Sequence, residues 1–122
     1  MGEGRCVRHH GLRNPALTIH THVARTTQEA RARFEPFYRH YWKFVGGLLA
    51  GSGPWPPFDF DSLLSGPGVC GSPDEVADRI GQWRELLDLD RHLVMFDLGG
   101  MDVPTLTDAI ELFGNDGIPQ LK

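Results

Sequence analysis

The sequence predicts an α/β fold with a parallel sheet, organised as part of a (β/α) barrel. Three segments support this prediction: an alternating β-branched stretch at residues 17–24, a capped helix that begins after Ser72, and an apolar stretch at residues 92–98 that ends at two glycines. Strands that alternate with helices favour a parallel sheet. A whole barrel needs roughly 250 residues, so a chain of 122 residues corresponds to a part of one, in the order β–α–loop–α–β–α.

Composition limits the class of partner. The 12 basic and 16 acidic residues give a formal net charge of −4, and the basic residues form no stripe, so nucleic acid is not an expected partner. No apolar run approaches the length of a membrane span, and the first residues lack the apolar core of a signal peptide, so no membrane association is expected. Cys6 and Cys70 have no C-x-x-C spacing and are expected to be free thiols of a cytoplasmic protein.

The first part of the chain predicts one strand and one helix. Residues 1–14 lack periodicity and are predicted to be disordered or irregular, whereas residues 15–122 are predicted to form the partial barrel. In the strand, one face should pack under helices (Leu17, Ile19, Thr21, Val23) and the other should point into the barrel lumen (Thr18, His20, His22, Ala24). An apolar stripe at helical spacing predicts a helix over 28–45, which Pro36 is expected to kink or split.

Residues 46–68 predict a mobile insertion loop. The segment holds six glycines and four prolines, which rules out a long helix or strand and leaves room for a turn at residues 61–64. Its aromatic residues Trp55, Phe58 and Phe60 argue against complete disorder. A mobile, partly apolar flap is consistent with both features.

The last part of the chain carries clear helix signals. Ser72 is a natural N-cap, Pro73 suits the first helical position, and Glu75 would complete a capping box. The following stretch, residues 92–98, is apolar on both faces, as expected of a parallel strand covered by helices. Asp102 is predicted to cap a final helix, and Gly114 is predicted to end it.

Two histidines are the first candidate site residues. His20 and His22 are two positions apart on a strand, so both side chains point to the same face. With Asp97 they imitate the metal site of a metal-dependent hydrolase barrel, although further ligands from neighbouring strands are missing. A polar lining, hydrogen-bonded to neighbours or to a ligand, is the preferred interpretation, and no metal ligand is assigned.

The second candidate site is the segment Asp97-Leu98-Gly99-Gly100 at the end of the last predicted strand. Binding residues in (β/α) barrels collect at the carboxyl ends of strands, and glycine lets backbone N–H groups approach a ligand. In the alternative interpretation, Gly99 and Gly100 only form the turn and Asp97 is a hydrogen-bonded scaffold residue. The sequence leaves both interpretations open.

Four stretches of the chain resemble the carboxyl-terminal portion of the luciferase-like flavin-dependent monooxygenases, the superfamily of bacterial luciferase and alkanesulfonate monooxygenase. They are HTHVARTTQEARARF, YRHYWKFVG, VCGSPDEVADRI and LDRHLVMFDLGGMDVPTLTDAIELFG. The resemblance implies that residues 17–24 are strand seven of the barrel and residues 92–98 are strand eight. It also implies that residues 46–68 belong to a mobile insertion over the active site.

The resemblance implies a function as well. Family members use reduced FMN, or the deazaflavin F420 in some branches, and many insert one oxygen atom from O2 into a small organic substrate. By this resemblance the side chains or backbone of His20, His22, Asp97, Gly99 and Gly100 would line the cofactor or substrate, and no residue is assigned as catalytic. The first six strands have no counterpart here, so the chain is expected to be inactive alone.

Several alternatives follow from that incompleteness. The chain is expected to be a truncated gene product, a split subunit or a remnant, associating either with the missing barrel portion or with itself. A fragment of an F420-dependent oxidoreductase is the close variant of the flavin hypothesis. A non-enzymatic association module and a fragment of a metal-dependent hydrolase barrel are the alternatives from other classes.

Overall fold

The computed structural model describes residues 16–122, so the prediction for residues 1–14 lies outside the described residues. The elements are β1 (Ala16–Val23), α1 (Thr27–Leu48), α2 (Phe60–Leu64), β2 (Gly68–Gly71), α3 (Pro73–Leu87), β3 (Arg91–Met95) and α4 (Val103–Leu112). A 3₁₀ turn at Ala50–Ser52 follows α1. A π-helical turn at Phe113–Gly117 and a 3₁₀ turn at Ile118–Leu121 follow α4.

The three strands form one parallel sheet in the order β2-β1-β3. His20 of β1 lies opposite Gly68 of β2, and Ile19 lies opposite Val94 of β3. The α/β class and the parallel sheet are therefore confirmed. The strand β2 was not predicted, because its four residues, Gly-Val-Cys-Gly, follow a Gly-Pro-Gly turn signal and contain too few side chains to show a pattern.

Helices cover both faces of the sheet. Ile19, Val23 and Val69 pack with residues of α3 and with Phe113 on one face, as predicted for this side of β1. On the other face α1 and α2 place Phe34, Tyr38 and Leu63 over the strands. The face of His20 and His22, predicted to be a lumen, is therefore covered by α1 within the described residues. Such two-sided covering is typical of open, doubly wound sheets.

The helix α1 is continuous through Pro36 and continues through Gly46 and Gly47. The predicted split does not occur. Proline removes one backbone donor and disturbs the carbonyl four residues earlier, here that of Ala32. Both Ala32 and Pro36 are exposed, so water can satisfy that carbonyl, while Phe34 and Tyr38 hold the opposite side of the helix in the core.

The segment 46–68 packs against α1 at its aromatic residues. Trp42 and Trp55 have ring centroids 4.6 Å apart. Each indole N–H donates to a backbone carbonyl, that of Trp42 to Pro56 (2.9 Å) and that of Trp55 to Trp42 (3.1 Å). The predicted turn at 61–64 is the helix α2, which Asp59 caps by accepting from the backbone N–H of Ser62.

Two adjacent glycines of α1 test whether this packing holds. A Cβ added at Gly46 would lie 2.5 Å from the Trp55 ring, whereas one at Gly47 would meet nothing within 4 Å. We expect Gly46→Ala to displace Trp55 and increase acrylamide quenching of tryptophan fluorescence. Gly47→Ala, the matched control, should leave the quenching unchanged and stabilise the helix by about 0.5–1 kcal/mol. Equal quenching in both variants would show that Trp55 does not pack on α1.

The capping box predicted at the start of α3 is confirmed only in part. Ser72 caps α3 by accepting from the backbone N–H of Glu75. The backbone N–H of Ser72 itself donates to Thr27 Oγ1, so the second half of a capping box is replaced by a bond that ties α3 to α1. At the other end of the chain, α4 ends at Leu112 with Phe113 as its C-cap, so Gly114 stands at the predicted C′ position. Its φ is not positive, and the chain continues into the π-helical turn.

The strand β3 is shorter than predicted and covered on one face only. It ends at Met95 rather than at residue 98. Leu93 and Met95 lie opposite Thr18 and His20, hence on the face of the sheet that α1 covers, yet they are 49% and 36% exposed. The prediction of burial on both faces is wrong here because α1 packs on β1 and β2 and leaves this side of β3 open.

Candidate functional site

The carboxyl ends of the parallel strands meet at one edge of the sheet, and the predicted site residues of β3 lie there. The backbone N–H of Ala24, just past β1, donates to the carbonyl of Gly71 at the end of β2 (3.2 Å). From β3 the chain passes through Asp97, Gly99 and Gly100, all exposed. Ligands of open α/β sheets bind at this edge.

The turn after β3 is fixed by its own residues. Asp97 Oδ1 accepts a hydrogen bond from the backbone N–H of Gly99 (2.8 Å). Gly99 and Gly100 have φ values of 96° and 86°, a region that favours glycine. Leu98 and Met101 on either side are buried and anchor the turn. Asp97 therefore acts at least as a scaffold, and its bond occupies the Gly99 N–H that a ligand would need.

The amino terminus of α4 already carries an anion. Asp102 Oδ2 accepts from the backbone N–H (3.0 Å) and from the hydroxyl (2.8 Å) of Thr105. These hydrogen bonds, the hydroxyl's first, lower the pKa of the Asp102 carboxyl. A phosphate at this helix end would meet that carboxylate, so the positive end of the helix dipole serves capping.

His20 is held by the tyrosines of α1. Its Nδ1 is 2.7 Å from the Tyr38 hydroxyl, and the Tyr41 ring lies edge-on to the imidazole with centroids 5.2 Å apart. Burial lowers the pKa of His20 and raises that of the Tyr38 phenol. Both groups are therefore neutral at physiological pH, and the pair has the character of a structural hydrogen bond beneath a helix.

His22 is the more unusual of the two histidines. It is 1% exposed and stacks on Phe34 with ring centroids 5.6 Å apart and planes 9° apart. Neither ring nitrogen has a hydrogen-bond partner among the described residues. Burial first, and the positive charge of Arg33 second, lower the pKa of His22 to about 4, against the opposing effect of Glu29.

The two histidines share a face, as predicted, but do not form one site. Each is engaged by a different residue of α1 (His20 by Tyr38, His22 by Phe34). Across the sheet from His22 lies Cys70, whose thiol is buried and whose pKa burial raises to about 12. Within residues 16–122, no group of three histidine, cysteine or carboxylate side chains is placed to hold a metal ion.

A crevice between α1 and α4 was missed by the sequence interpretation. It has a volume of about 250 Å³ and opens beside the carboxyl end of β1. The α1 side contributes Arg25, Arg33 and Glu29, and the Arg33 guanidinium donates to the Glu29 carboxylate (2.8 Å). The α4 side contributes Asp108 and Glu111. In open α/β sheets, ligands bind at the topological switch point, where helices that follow neighbouring strands pack on opposite faces of the sheet. The crevice lies at such a point, because α1 follows β1 on one face and the end of α4 packs on the opposite face. No short motif marks it, because its charges are distant in sequence.

Comparison with known proteins assigns no family. No family model matches the chain, and no curated protein is significantly similar to it. In the part of the chain that the structure describes, no helix has both the length and the apolar character needed to cross a membrane. Evidence on function therefore comes from the geometry and from the sequence resemblance.

Proposed function

We propose that the chain is the carboxyl-terminal part of a luciferase-like flavin-dependent oxidoreductase barrel, and that it contributes a partial cofactor site that further strands complete. The observation that carries this proposal is the carboxyl edge of the parallel sheet, where the turn at Asp97, Gly99 and Gly100 is exposed. A crevice lined by Arg25 and Arg33, and by none of those three residues, opens beside the end of β1. Carboxyl-end loops of parallel strands are where this architecture binds ligands.

The residues present fit only part of a flavin nucleotide. Arg25 and Arg33 line the crevice, and a guanidinium group suits the phosphate that FMN and F420 carry. The crevice is smaller than the roughly 300–1,000 Å³ of most ligand pockets, and Asp108 and Glu111 would repel a phosphate on the α4 side. A flavin ring would therefore need surfaces from added strands.

The unpaired edges of the sheet support the same proposal. Both β2 and β3 are outer strands of the sheet in the described part of the chain, and an unpaired strand edge is a template for pairing with another strand. When bound, reduced flavin would supply the oxygen chemistry with O2. The residues of this chain would orient it: Asp97 would fix the turn, and Arg25 would hold the phosphate, since Arg33 is paired with Glu29.

A second candidate function is a non-enzymatic association module. Leu93 and Met95 are exposed on an outer strand, a feature that favours strand pairing without requiring a cofactor. In this case the edge of β3 would be the functional surface, and the crevice between α1 and α4 would have no ligand.

Flavin titration separates the two candidates. We expect the chain alone to give no saturable change in FMN or F420 fluorescence in the micromolar range. The same chain joined to barrel strands encoded upstream in its gene should bind FMN or F420. In that longer protein, Arg25→Gln should weaken the binding about tenfold, the effect of one charge-assisted hydrogen bond. Lys43→Gln, at an exposed position of α1 outside the crevice, is the matched control.

Two outcomes would contradict the proposal in different ways. Saturable micromolar binding by the chain alone would show that its site is complete. A reconstituted chain that binds neither FMN nor F420, or an upstream region that encodes no barrel strands, would remove the flavin assignment and leave the association module.

A further inference from the structure

The outer edge of β3 lies open next to apolar side chains. Within residues 16–122 only β1 pairs with β3. Outer strands of natural sheets are often protected by charged side chains, proline or bulges at mid-strand. The second half of β3 instead carries Leu93, Val94 and Met95, of which Leu93 and Met95 are well exposed. An edge of this kind favours the addition of another strand.

Charged residues lie at the two ends of this segment. Arg91 is the first residue of β3, and Asp97 lies two residues after Met95, the last residue of the strand. Both Arg91 and Asp97 are exposed. Asp97 lies outside β3, and its Oδ1 accepts from the backbone N–H of Gly99. An ion pair between Asp97 and Arg91 of a second molecule therefore requires strand pairing to extend through Phe96 and Asp97.

Antiparallel pairing of β3 with a second β3 brings these charges together. When Val94 lies on the two-fold axis, Arg91 of one copy faces Asp97 of the other, and Leu93 faces Met95. Directly opposite side chains lie on the same face of a sheet, where opposite charges and apolar pairs stabilise the pairing. The segment Arg-His-Leu-Val-Met-Phe-Asp (residues 91–97) is thus self-complementary about its centre.

The neighbouring registers lack this complementarity. A shift by two residues in one direction places Arg91 against Met95, and the opposite shift places Leu93 against Asp97. A shift by one residue moves side chains to the wrong faces. Only the register centred on Val94 pairs both the charged and the apolar residues, so the sequence of the edge itself specifies one geometry.

We infer that β3 pairs antiparallel with β3 of a second copy of this chain, with Val94 at the two-fold axis, giving a continuous six-stranded sheet. The partner is a second copy because the charge and apolar pattern of the edge complements itself, as a two-fold interface requires. The inference does not depend on flavin binding. It implies that self-association and completion by barrel strands compete for the same edge.

Cysteine cross-linking tests the register. Antiparallel partners have Cα atoms about 4.5–5.5 Å apart, within the range that a disulfide spans. In a Cys6→Ser background, we expect full-length Val94→Cys to form a covalent dimer under mild oxidation. Ala32→Cys, at an exposed position of α1, is the matched control and should form no covalent dimer. Cys70 is buried and stays in both variants.

A charge reversal tests the specific contact. Arg91→Asp places like charges against Asp97 twice in each dimer, and we expect it to weaken dimerisation about tenfold in sedimentation equilibrium. Arg91→Lys keeps the positive charge and leaves the bond of Asp97 to the Gly99 N–H in place, so this matched control should dimerise like the wild type. Far-UV circular dichroism confirms that each variant is folded, and higher salt should reduce the difference between them.

Three results would overturn the inference. The first is a purified chain that stays monomeric at every concentration. This result includes the case in which β3 pairs only with strands of a different protein. The second is a dimer that Val94→Cys does not cross-link, which would place the interface elsewhere, such as at β2. The third is association of Arg91→Asp as strong as that of Arg91→Lys when both variants are folded. None of these results involves flavin, so they are separate from the flavin titration.

Discussion

Replacing Phe34 by alanine is expected to lower the free energy of unfolding by about 3–5 kcal/mol. Phe34 is fully buried on α1 and contacts the rings of His22, Tyr38 and Phe60. Its removal leaves a cavity between the helix and the sheet that this cluster cannot fill. Because small domains have a total stability of about 5–15 kcal/mol, the variant should unfold at much lower urea concentration, measured by far-UV circular dichroism.

Phe44 provides the matched control for this substitution. It lies on the same helix but is 59% exposed, so Phe44→Ala should change the unfolding free energy by no more than about 0.5 kcal/mol. Similar small losses in both variants would contradict the placement of α1 over the sheet, because Phe34 would then not be a core residue.

Acidification from pH 7 to pH 5 is expected to lower the free energy of unfolding by about 2 kcal/mol through His22 alone. In the folded chain the pKa of His22 is about 4, whereas an unfolded histidine has a pKa near 6.5. Between these values the unfolded chain binds more protons, so stability falls as the pH falls below about 6.5 and levels off below about 4. The lowered pKa values of His20 and His92 act in the same direction.

His22→Phe isolates this contribution. Phenylalanine keeps the stacking on Phe34 and removes the titratable ring, so the variant should lose about 2 kcal/mol less than the wild type between pH 7 and pH 5. His40→Phe, at an exposed position of α1, leaves His22 in place and should keep the wild-type pH dependence. If His22→Phe retains the full loss of stability in urea titrations at both pH values, His22 is not buried in the neutral form.

Local signals in the sequence were sufficient for much of the fold. The alternation of residues 17–24, the Ser72 cap and the Asp102 cap each depend on neighbouring residues, and each appears in the structure as expected. The strand β2 and the π-helical turn after α4 were not predictable in this way. Val69 and Cys70 are strand residues because they pair with β1, and glycine at position 114 continues a helical turn because residues around it pack on α3 and β3.

The candidate site was predictable to a smaller extent. The position of Asp97, Gly99 and Gly100 at the carboxyl edge follows from strand direction, and the glycines do adopt positive φ values. The burial of His22 and the partial burial of His20 do not follow from the alternation of residues 17–24. The alternation predicts that the two histidines share a face of β1, but it does not predict that α1 covers this face. The crevice of Arg25, Arg33, Asp108 and Glu111 depends on the approach of two helices that are distant in the sequence.

Within residues 16–122 the parallel sheet is open, with β1 internal and β3 at an edge, and we infer that this edge accepts another strand. Amide hydrogen exchange measured by NMR at two protein concentrations tests it most directly. We expect strong protection of β1 at both concentrations, and protection of the outward-facing β3 amides only in the concentrated sample. Fast exchange throughout β1, or β3 amides that are equally protected at both concentrations, would contradict the claim.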